Sequence, residues 1–290
     1  MLSSADSPSS RHSRGVALML ASTVSFTVNV LLIRALGEVQ AVNVWLVACV
    51  RFVAGMAVVL GFYRREFKFR RLFTEPKLIG RGIVGGGSVY LFYLTVVHLG
   101  AGRATFINNT YVIFGALLAV WVLGERFSTA LALGSAAALG GLALLTNAFG
   151  AGAHVNHYDL LGIASAFAAA YVVVTIRQLH ATDHSSTIFA AQCVYGLLIC
   201  GGPAVLHPQS IAPLAWMMML LAGLFAAIGQ ITMTRAFRDL PVAEGSLLQM
   251  LVPLGIAVGG LVFFGEHFTP GELIGAALIL GGTALTAAKH

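Results

Sequence analysis

The chain has 290 residues, of which 58% are hydrophobic and only 10% are charged, and its formal net charge is +6. A soluble domain carries about 25% charged residues, so this composition excludes a water-exposed globule and predicts an integral membrane protein. Apolar runs of about 20 residues favour spanning helices over a barrel, whose strands show about 10 residues of alternating polarity.

Ten spanning helices are predicted in chain order, after a polar, serine-rich N-terminal tail over 1–14 that we expect to be disordered. Short connections such as "LGAGR" and "GERFS" make consecutive helices antiparallel neighbours. The fold class is therefore an all-α integral membrane protein. The predicted spans are 15–34, 43–63, 79–98, 103–123, 129–147, 158–178, 186–206, 212–235, 242–264 and 270–287.

Positive charge predicts the orientation of these spans. The stretch "RREFKFRRLFTEPKLIGR" follows span 2, and lysine- and arginine-rich loops stay in the cytoplasm. With that loop inside and ten spans, both termini are cytoplasmic. Fourteen of the 17 Lys and Arg residues then lie inside, only Arg34 and Arg103 lie outside, and Arg51 falls within span 2. The net charge thus faces the anionic inner leaflet and predicts no nucleic-acid partner.

A repeat with an offset of 141 residues relates the two halves of the chain. "LGERF" at 123–127 recurs as "FGEHF" at 264–268, and the glycines of span 5 recur in span 10 without a gap. The predicted halves are 15–148 and 158–290, joined by an extracytoplasmic linker at 149–157. Five spans is an odd number, so the second half enters the membrane from the opposite side, as in the inverted repeats of secondary transporters.

The repeated Gly-Glu pairs are predicted to be turns. Gly124 and Gly265 suit the left-handed residue that ends a helix. Glu125 and Glu266 then lie at opposite faces, about 30 Å apart, and cannot form a catalytic pair. Two interpretations stay open for these glutamates: binding to neighbouring backbone donors or a nearby arginine, or gating at each mouth.

Two stretches resemble a known family. "LPVAEGSLLQMLVPLGIAVGGLVFFGEHFTPGELIGAALILGGTAL" at 240–285 and "RFVAGM" at 51–56 are similar to the EamA-type transporters of the drug/metabolite transporter superfamily. The resemblance implies an exporter of amino acids and related metabolites, with one bacterial branch exporting aromatic amino acids. The first half has Val112 where the second has Pro253, so a proline-dependent bend is expected in span 9 alone.

Substrate contacts are expected near the membrane midplane, where the two repeats meet. The resemblance implies a cavity lined by spans 1, 3, 4, 6, 8 and 9. For the amides in these spans the alternative is plain hydrogen bonding between helices, and for the tyrosines it is ordinary packing. The candidates are Asn29, Tyr90, Tyr93, Asn108, Asn109, Tyr111, Tyr171, Gln230 and Gln249.

Two further residues are candidates for a charge or gating role. Arg51 lies within span 2, where it could meet a substrate carboxylate, although a structural role is favoured because span 2 is not a main cavity wall in the family. His98 lies near the outer end of span 3, and a proton role for it is a weaker alternative.

No acidic residue falls deep inside a predicted span, so the site is expected to be neutral, apolar and aromatic. Such a site suits a neutral or aromatic amino acid moved by facilitated or exchange transport across a bacterial-type inner membrane. The alternatives are proton-coupled efflux of drugs or amphipathic compounds and a lipid-type flippase, both of which favour buried acids or a laterally open groove.

A membrane-embedded enzyme is disfavoured because the chain has no HExxH motif and no paired intramembrane carboxylates. We expect no cofactor, no metal and no obligate protein partner. The expected partners are a small-molecule substrate and the lipid bilayer.

Overall fold

A computed structural model describes residues 8–126, 128–149 and 155–287. All regular structure within these ranges is helical, as the sequence predicts. The helices are α1 (Pro8–Val39), α2 (Val44–Phe62), α3 (Arg71–Thr74), α4 (Pro76–Leu99), α5 (Ala101–Asn109), α6 (Tyr111–Leu123), α7 (Thr129–Leu145), α8 (His157–Leu179), α9 (Ser185–Leu206), α10 (Pro213–Asp239), α11 (Val242–Gln249), α12 (Leu251–Phe264) and α13 (Pro270–Ala287).

Ten helical crossings account for the described helices apart from the short loop helix α3. Eight helical segments are long and apolar enough to cross a membrane, if α5 with α6 and α11 with α12 each count as one. The shorter apolar helices α7 and α13 supply the other two crossings. We call the end of the bundle that bears the start of α1 the inner face and the opposite end the outer face. The charge distribution predicts that the inner face is cytoplasmic.

Helix α1 begins earlier than predicted. It starts at Pro8, so residues 8–14 of the predicted disordered tail are helical, and residues 1–7 lie outside the described ranges. The physical reason is that partners on the second half hold this polar turn. Arg14 donates to Asp239 at 3.0 Å, and the His12 ring lies 2.8 Å from Glu244.

Spans 4 and 9 are both interrupted near the middle, so an interruption without proline in span 4 accompanies the one expected from proline in span 9. Thr110 separates α5 from α6, and Met250 separates α11 from α12. Pro253 removes a backbone donor from span 9. Span 4 reaches the same result without proline, because the Thr110 hydroxyl donates to the Ile107 carbonyl at 2.6 Å and competes with the helical ladder.

Close glycine contacts between α7 and α13 reveal the symmetry of the two halves. A Cβ on Gly141 would lie 2.5 Å from the Gly275 oxygen, and a Cβ on Gly282 would lie 2.5 Å from the Gly134 oxygen. A shift of 141 residues converts Gly134 into Gly275 and Gly141 into Gly282, so the shift exchanges the two contacts. This exchange is what a two-fold axis between α7 and α13 requires, and it supports the inverted repeat.

Both Gly-Glu turns have the geometry that ends a helix. Gly124 has φ 67° and Gly265 has φ 66°, the left-handed conformation that glycine adopts without steric cost. Ser128 then caps α7 by accepting from the Leu131 amide at 3.2 Å. Phe127, the last residue of "LGERF", lies outside the described ranges.

Candidate functional site

A cleft at the outer face separates the two halves. Its volume is about 680 Å³. Helices α1, α5, α7 and α12 and the turn between α12 and α13 form its walls. The lining residues are Val30, Arg34, Ala101, Gly102, Thr105, Leu145, Thr146, Pro253, Ile256, Ala257, Leu261, Gly265, Glu266, His267, Phe268 and Glu272.

The cleft has a neutral interior and a charged rim. Pro253, Ile256 and Ala257 supply an apolar wall on α12, and Thr105 and Thr146 supply hydroxyl groups. The charged residues come from the outer ends of α1 and α13 and from the turn before α13. Such a cleft can hold a small molecule with an uncharged body and meet its polar groups near the mouth.

Gln249 lies one helical turn below this cleft. Its Nε2 donates to the Ser22 hydroxyl at 2.9 Å and to the Met19 sulfur at 3.0 Å, so the amide joins α11 to α1. Pro253, one turn further outward, lines the cleft. Gln249 therefore lies beneath the floor, and its place in substrate binding stays a prediction.

The asparagine pair of span 4 lies at the same depth. Asn109 donates to the Thr105 carbonyl at 2.8 Å, and Thr105 lines the cleft one turn outward. The Asn108 oxygen accepts from the Ser165 hydroxyl at 3.0 Å and joins α5 to α8. The two halves thus place amides on both sides of the cleft floor, although hydrogen bonds within the protein already occupy them.

Asn29, Gln230 and Arg51 connect the helices around α10. Asn29, which is 4% exposed, donates to the Ala222 carbonyl at 2.8 Å. Arg51 lies 3.4 Å from the Gln230 oxygen, and its guanidinium carbon is 5.7 Å from the centre of the Phe26 ring. These contacts join α2, α10 and α1, in agreement with the favoured structural role of Arg51.

The predicted tyrosines do not gather in one place. Tyr90 stacks on Trp45 with ring centres 4.4 Å apart. Tyr93 lines a second, smaller cavity of about 140 Å³ between α1, α2 and α4. Tyr171 is 38% exposed on α8. None of the three lines the outer cleft.

The outer end of α4 is fixed against the start of α8. His98 stacks on Tyr158 with ring centres 3.8 Å apart, and its Nδ1 lies 2.9 Å from the Leu94 carbonyl. Just beyond, Arg103 donates to Asp159 at 2.8 Å. His98 thus contributes to packing at the junction between spans 3 and 4.

At the inner face, Glu125 holds spans 4 and 9 together. Its two oxygens accept from the Val242 amide, at 3.3 and 3.0 Å, and Arg177 lies 2.8 Å from the same carboxylate. Arg177 also donates to the carbonyls of Leu240 and Phe237 at the end of α10. One carboxylate and one guanidinium therefore fix the junction between α10 and α11.

Burial acts on the ionisation of this carboxyl. It raises the pKa of Glu125 above its usual value, against the opposing effects of the Arg177 charge and the Val242 amide. Two further contacts close the same junction from α1, an ion pair between Arg14 and Asp239 and a hydrogen bond between His12 and Glu244. Glu244 is 4% exposed, so one carboxylate of span 9 is buried near the inner face.

At the outer face, Glu266 is held differently. It accepts a hydrogen bond from Arg34, which lowers the pKa of the Glu266 carboxyl. Within the described ranges, no hydrogen bond joins Glu266 to the Ala101 amide, the counterpart of Val242 at the 141-residue offset. Arg34, Ala101 and Glu266 line the cleft instead. The bundle is therefore open at the outer face and closed at the inner face.

Sequence reasoning missed Arg81. The charge distribution counts it with the cytoplasmic loop, and it is the third residue of the predicted span 79–98; the structure buries it fully within α4. Its Nη2 donates to Gln192 on α9 at 3.0 Å, and its guanidinium occupies the space where a Cβ on Gly85 would lie. The available signal was its position more than one helical turn after Pro76, which starts α4.

Comparisons with known proteins agree with this architecture. Residues 13–147 and 157–288 each match the EamA-like transporter family. A solved crystal structure superposes with a TM-score of 0.81 over 95% of this chain and 98% of that chain, at 18% identity, and shows that the two share a fold.

Named relatives are similar over large parts of the chain. The threonine/homoserine exporter RhtA of Escherichia coli (strain K12) is 27% identical over 259 residues, which is 84% of this chain and 83% of the relative. A probable terminal-alkyne amino-acid exporter of Streptantibioticus cattleyicolor is 30% identical over 192 residues, 65% of each chain. Because the family match covers nearly the whole sequence in two copies, this multi-pass membrane protein belongs to the EamA-like transporter family.

Proposed function

We propose that this protein exports small neutral metabolites, most directly neutral amino acids, across a bacterial-type inner membrane. The observation that carries the proposal is the outer cleft, which is neutral inside and lies between the two inverted halves. Its relatives in Escherichia coli and Streptantibioticus cattleyicolor are named as exporters of amino acids. A third relative, 25% identical over 165 residues, is the pseudopaline exporter CntI of Pseudomonas aeruginosa.

Amino acids fit both parts of the cleft. The apolar wall on α12 suits an uncharged side chain, while Arg34 and Glu266 at the rim can meet a carboxylate and an ammonium group. In the proposed cycle, the two halves expose the cleft alternately to each face. Among the described residues that line the cleft, the acidic ones are Glu266 and Glu272, both from its rim, which favours facilitated or exchange transport over proton-coupled drug efflux.

Transport in proteoliposomes tests this proposal. Vesicles loaded with labelled threonine, methionine or phenylalanine are expected to release at least one of these compounds faster than protein-free vesicles, without an imposed pH gradient. Release that requires a pH gradient would favour the proton-coupled alternative. Failure of the folded protein to move any neutral amino acid would refute the substrate class.

The floor residues provide a test of the site itself. We expect Gln249→Ala and Asn109→Ala to lower the release rate while the amount of folded protein stays the same, because both amides lie one turn below the cleft. Glu66→Gln is a suitable control, since Glu66 is exposed in the inner loop between α2 and α3. Wild-type rates in both alanine variants would refute the proposed floor.

A further inference from the structure

We propose that Glu125 and Glu266 are alternating latches, each closing one face of the transporter by binding the first amide of a helix in the other half. In this structure Glu125 binds the Val242 amide and closes the inner face. In the opposite state Glu266 binds the Ala101 amide and closes the outer face. The proposal rests on alternating access of the two halves and is independent of which compound is carried.

The closed latch is specific in its geometry. Val242 is the first residue of α11, so its amide has no partner within the helix. A carboxylate at this end is favoured by the partial positive charge of the helix N-terminus. Glu125 comes from the turn between α6 and α7, in the other half of the chain, and its contact therefore ties α6 to α11 across the repeat boundary.

Arg177 is the third group of the inner latch, beside the Glu125 carboxylate and the Val242 amide. It lies 2.8 Å from Glu125 and also donates to the Leu240 carbonyl. The carboxylate thus holds the start of α11, while the guanidinium holds the end of α10. Opening the inner face would break the contact of Glu125 with the Val242 amide, whereas the contact of Arg177 with Leu240 lies within the second half.

Every component recurs at the outer face. A shift of 141 residues converts Glu125 into Glu266 and Val242 into Ala101, which begins α5. Arg34 on α1 and Arg177 on α8 occupy similar positions on the first helices of the two halves, at an offset of 143 residues. Glu266 already accepts a hydrogen bond from Arg34. Among the described residues, the outer latch therefore lacks two contacts of the inner one: that of Glu266 with the Ala101 amide, and that of Arg34 with the carbonyl of Leu99, the counterpart of Leu240.

The cleft lies at the point where the contact between Glu266 and the Ala101 amide would form. Arg34, Ala101 and Glu266 all line the same cavity. Approach of α5 to α12 would remove this cavity and bring the carboxylate of Glu266 to the Ala101 amide. At the inner face spans 4 and 9 touch, and Glu125 binds the Val242 amide. At the outer face the cleft separates these spans, and Glu266 does not bind the Ala101 amide. An alternating pair of latches requires this difference between the two faces.

Labelling of introduced cysteines tests the latches without any substrate. The three native cysteines are replaced by alanine, and one reporter is introduced as Ala257→Cys in the outer cleft or Ala243→Cys at the buried inner end of α11. Purified protein in nanodiscs is then treated with a water-soluble maleimide. With both latches intact, we expect the reporter at 257 to react faster than the reporter at 243.

Removing one latch is expected to move the two reporters in opposite directions. Glu125→Gln should lower the labelling rate at 257 and raise it at 243, shifting their ratio by about tenfold for the loss of charge-assisted hydrogen bonds. Glu266→Gln should leave the rate at 257 high and lower the rate at 243. Combining both substitutions should give a ratio between those of the single variants.

A merely structural role for these glutamates predicts a different pattern. Partial unfolding would raise labelling at both positions, and it would not be reversed by the second substitution. The matched control, Glu66→Gln, changes an exposed inner-loop carboxylate and should leave the ratio unchanged. The proposal is overturned if Glu125→Gln leaves both rates unchanged or raises both, or if Glu266→Gln has the same effect as Glu125→Gln.

Discussion

Removing the single hydrogen-bond partner of a buried arginine should destabilise the bundle more than removing the arginine and its partner together. Arg81 is fully buried, and only Nη2 has a partner among the described residues, the Gln192 oxygen at 3.0 Å. Gln192→Leu keeps the side-chain volume but leaves a buried charge without a partner. A hydrogen bond to a charged group contributes about 1.5–3 kcal/mol, so we expect a loss of about that size.

The double variant distinguishes this reasoning from a simple packing effect. Arg81→Met with Gln192→Leu replaces the polar pair by apolar groups of similar shape, which is often neutral or stabilising for buried pairs. The free energy of unfolding, measured for wild type, both single variants and the double variant, gives the coupling between the two side chains. Additive effects of the single substitutions would refute the claim that Gln192 stabilises the Arg81 charge.

One more prediction concerns the helix interface between α7 and α13. Gly141→Ala should lower the free energy of unfolding by about 1–3 kcal/mol, because its Cβ would lie 2.5 Å from the Gly275 oxygen. Gly140→Ala is the matched control and should be tolerated, because the added Cβ has no neighbouring side chain or facing backbone within 4 Å. Equal losses of stability in the two variants, measured by thermal unfolding, would contradict the helix interface.

The spans and the repeat could be predicted because their signals are local. Apolar length identifies each crossing, and a 141-residue offset without gaps relates the halves. Contacts within the candidate site could not be predicted in the same way. Glu125 and Val242 are distant in sequence, and only the packing of α6 against α11 brings them together.

Two residues show where local reasoning is incomplete. Arg81 follows a run of positive loop residues, so its sequence neighbourhood suggested solvent, whereas the helix that begins at Pro76 carries it into the bundle. Thr110 interrupts span 4 through its own hydroxyl, and a prediction of helix bends from proline alone does not include this effect. In both cases the sequence does not show which group the side chain binds. The folded chain shows it: Gln192 for Arg81 and the Ile107 carbonyl for Thr110.

The most direct test of the central claim is counterflow. Proteoliposomes loaded with an excess of unlabelled threonine are diluted into a trace of labelled threonine, with no ion gradient. A carrier that exposes one site alternately to each face should accumulate label transiently above its equilibrium level, and Glu125→Gln should reduce this overshoot. Entry of label without an overshoot, or no entry for threonine, methionine and phenylalanine alike, would contradict the account.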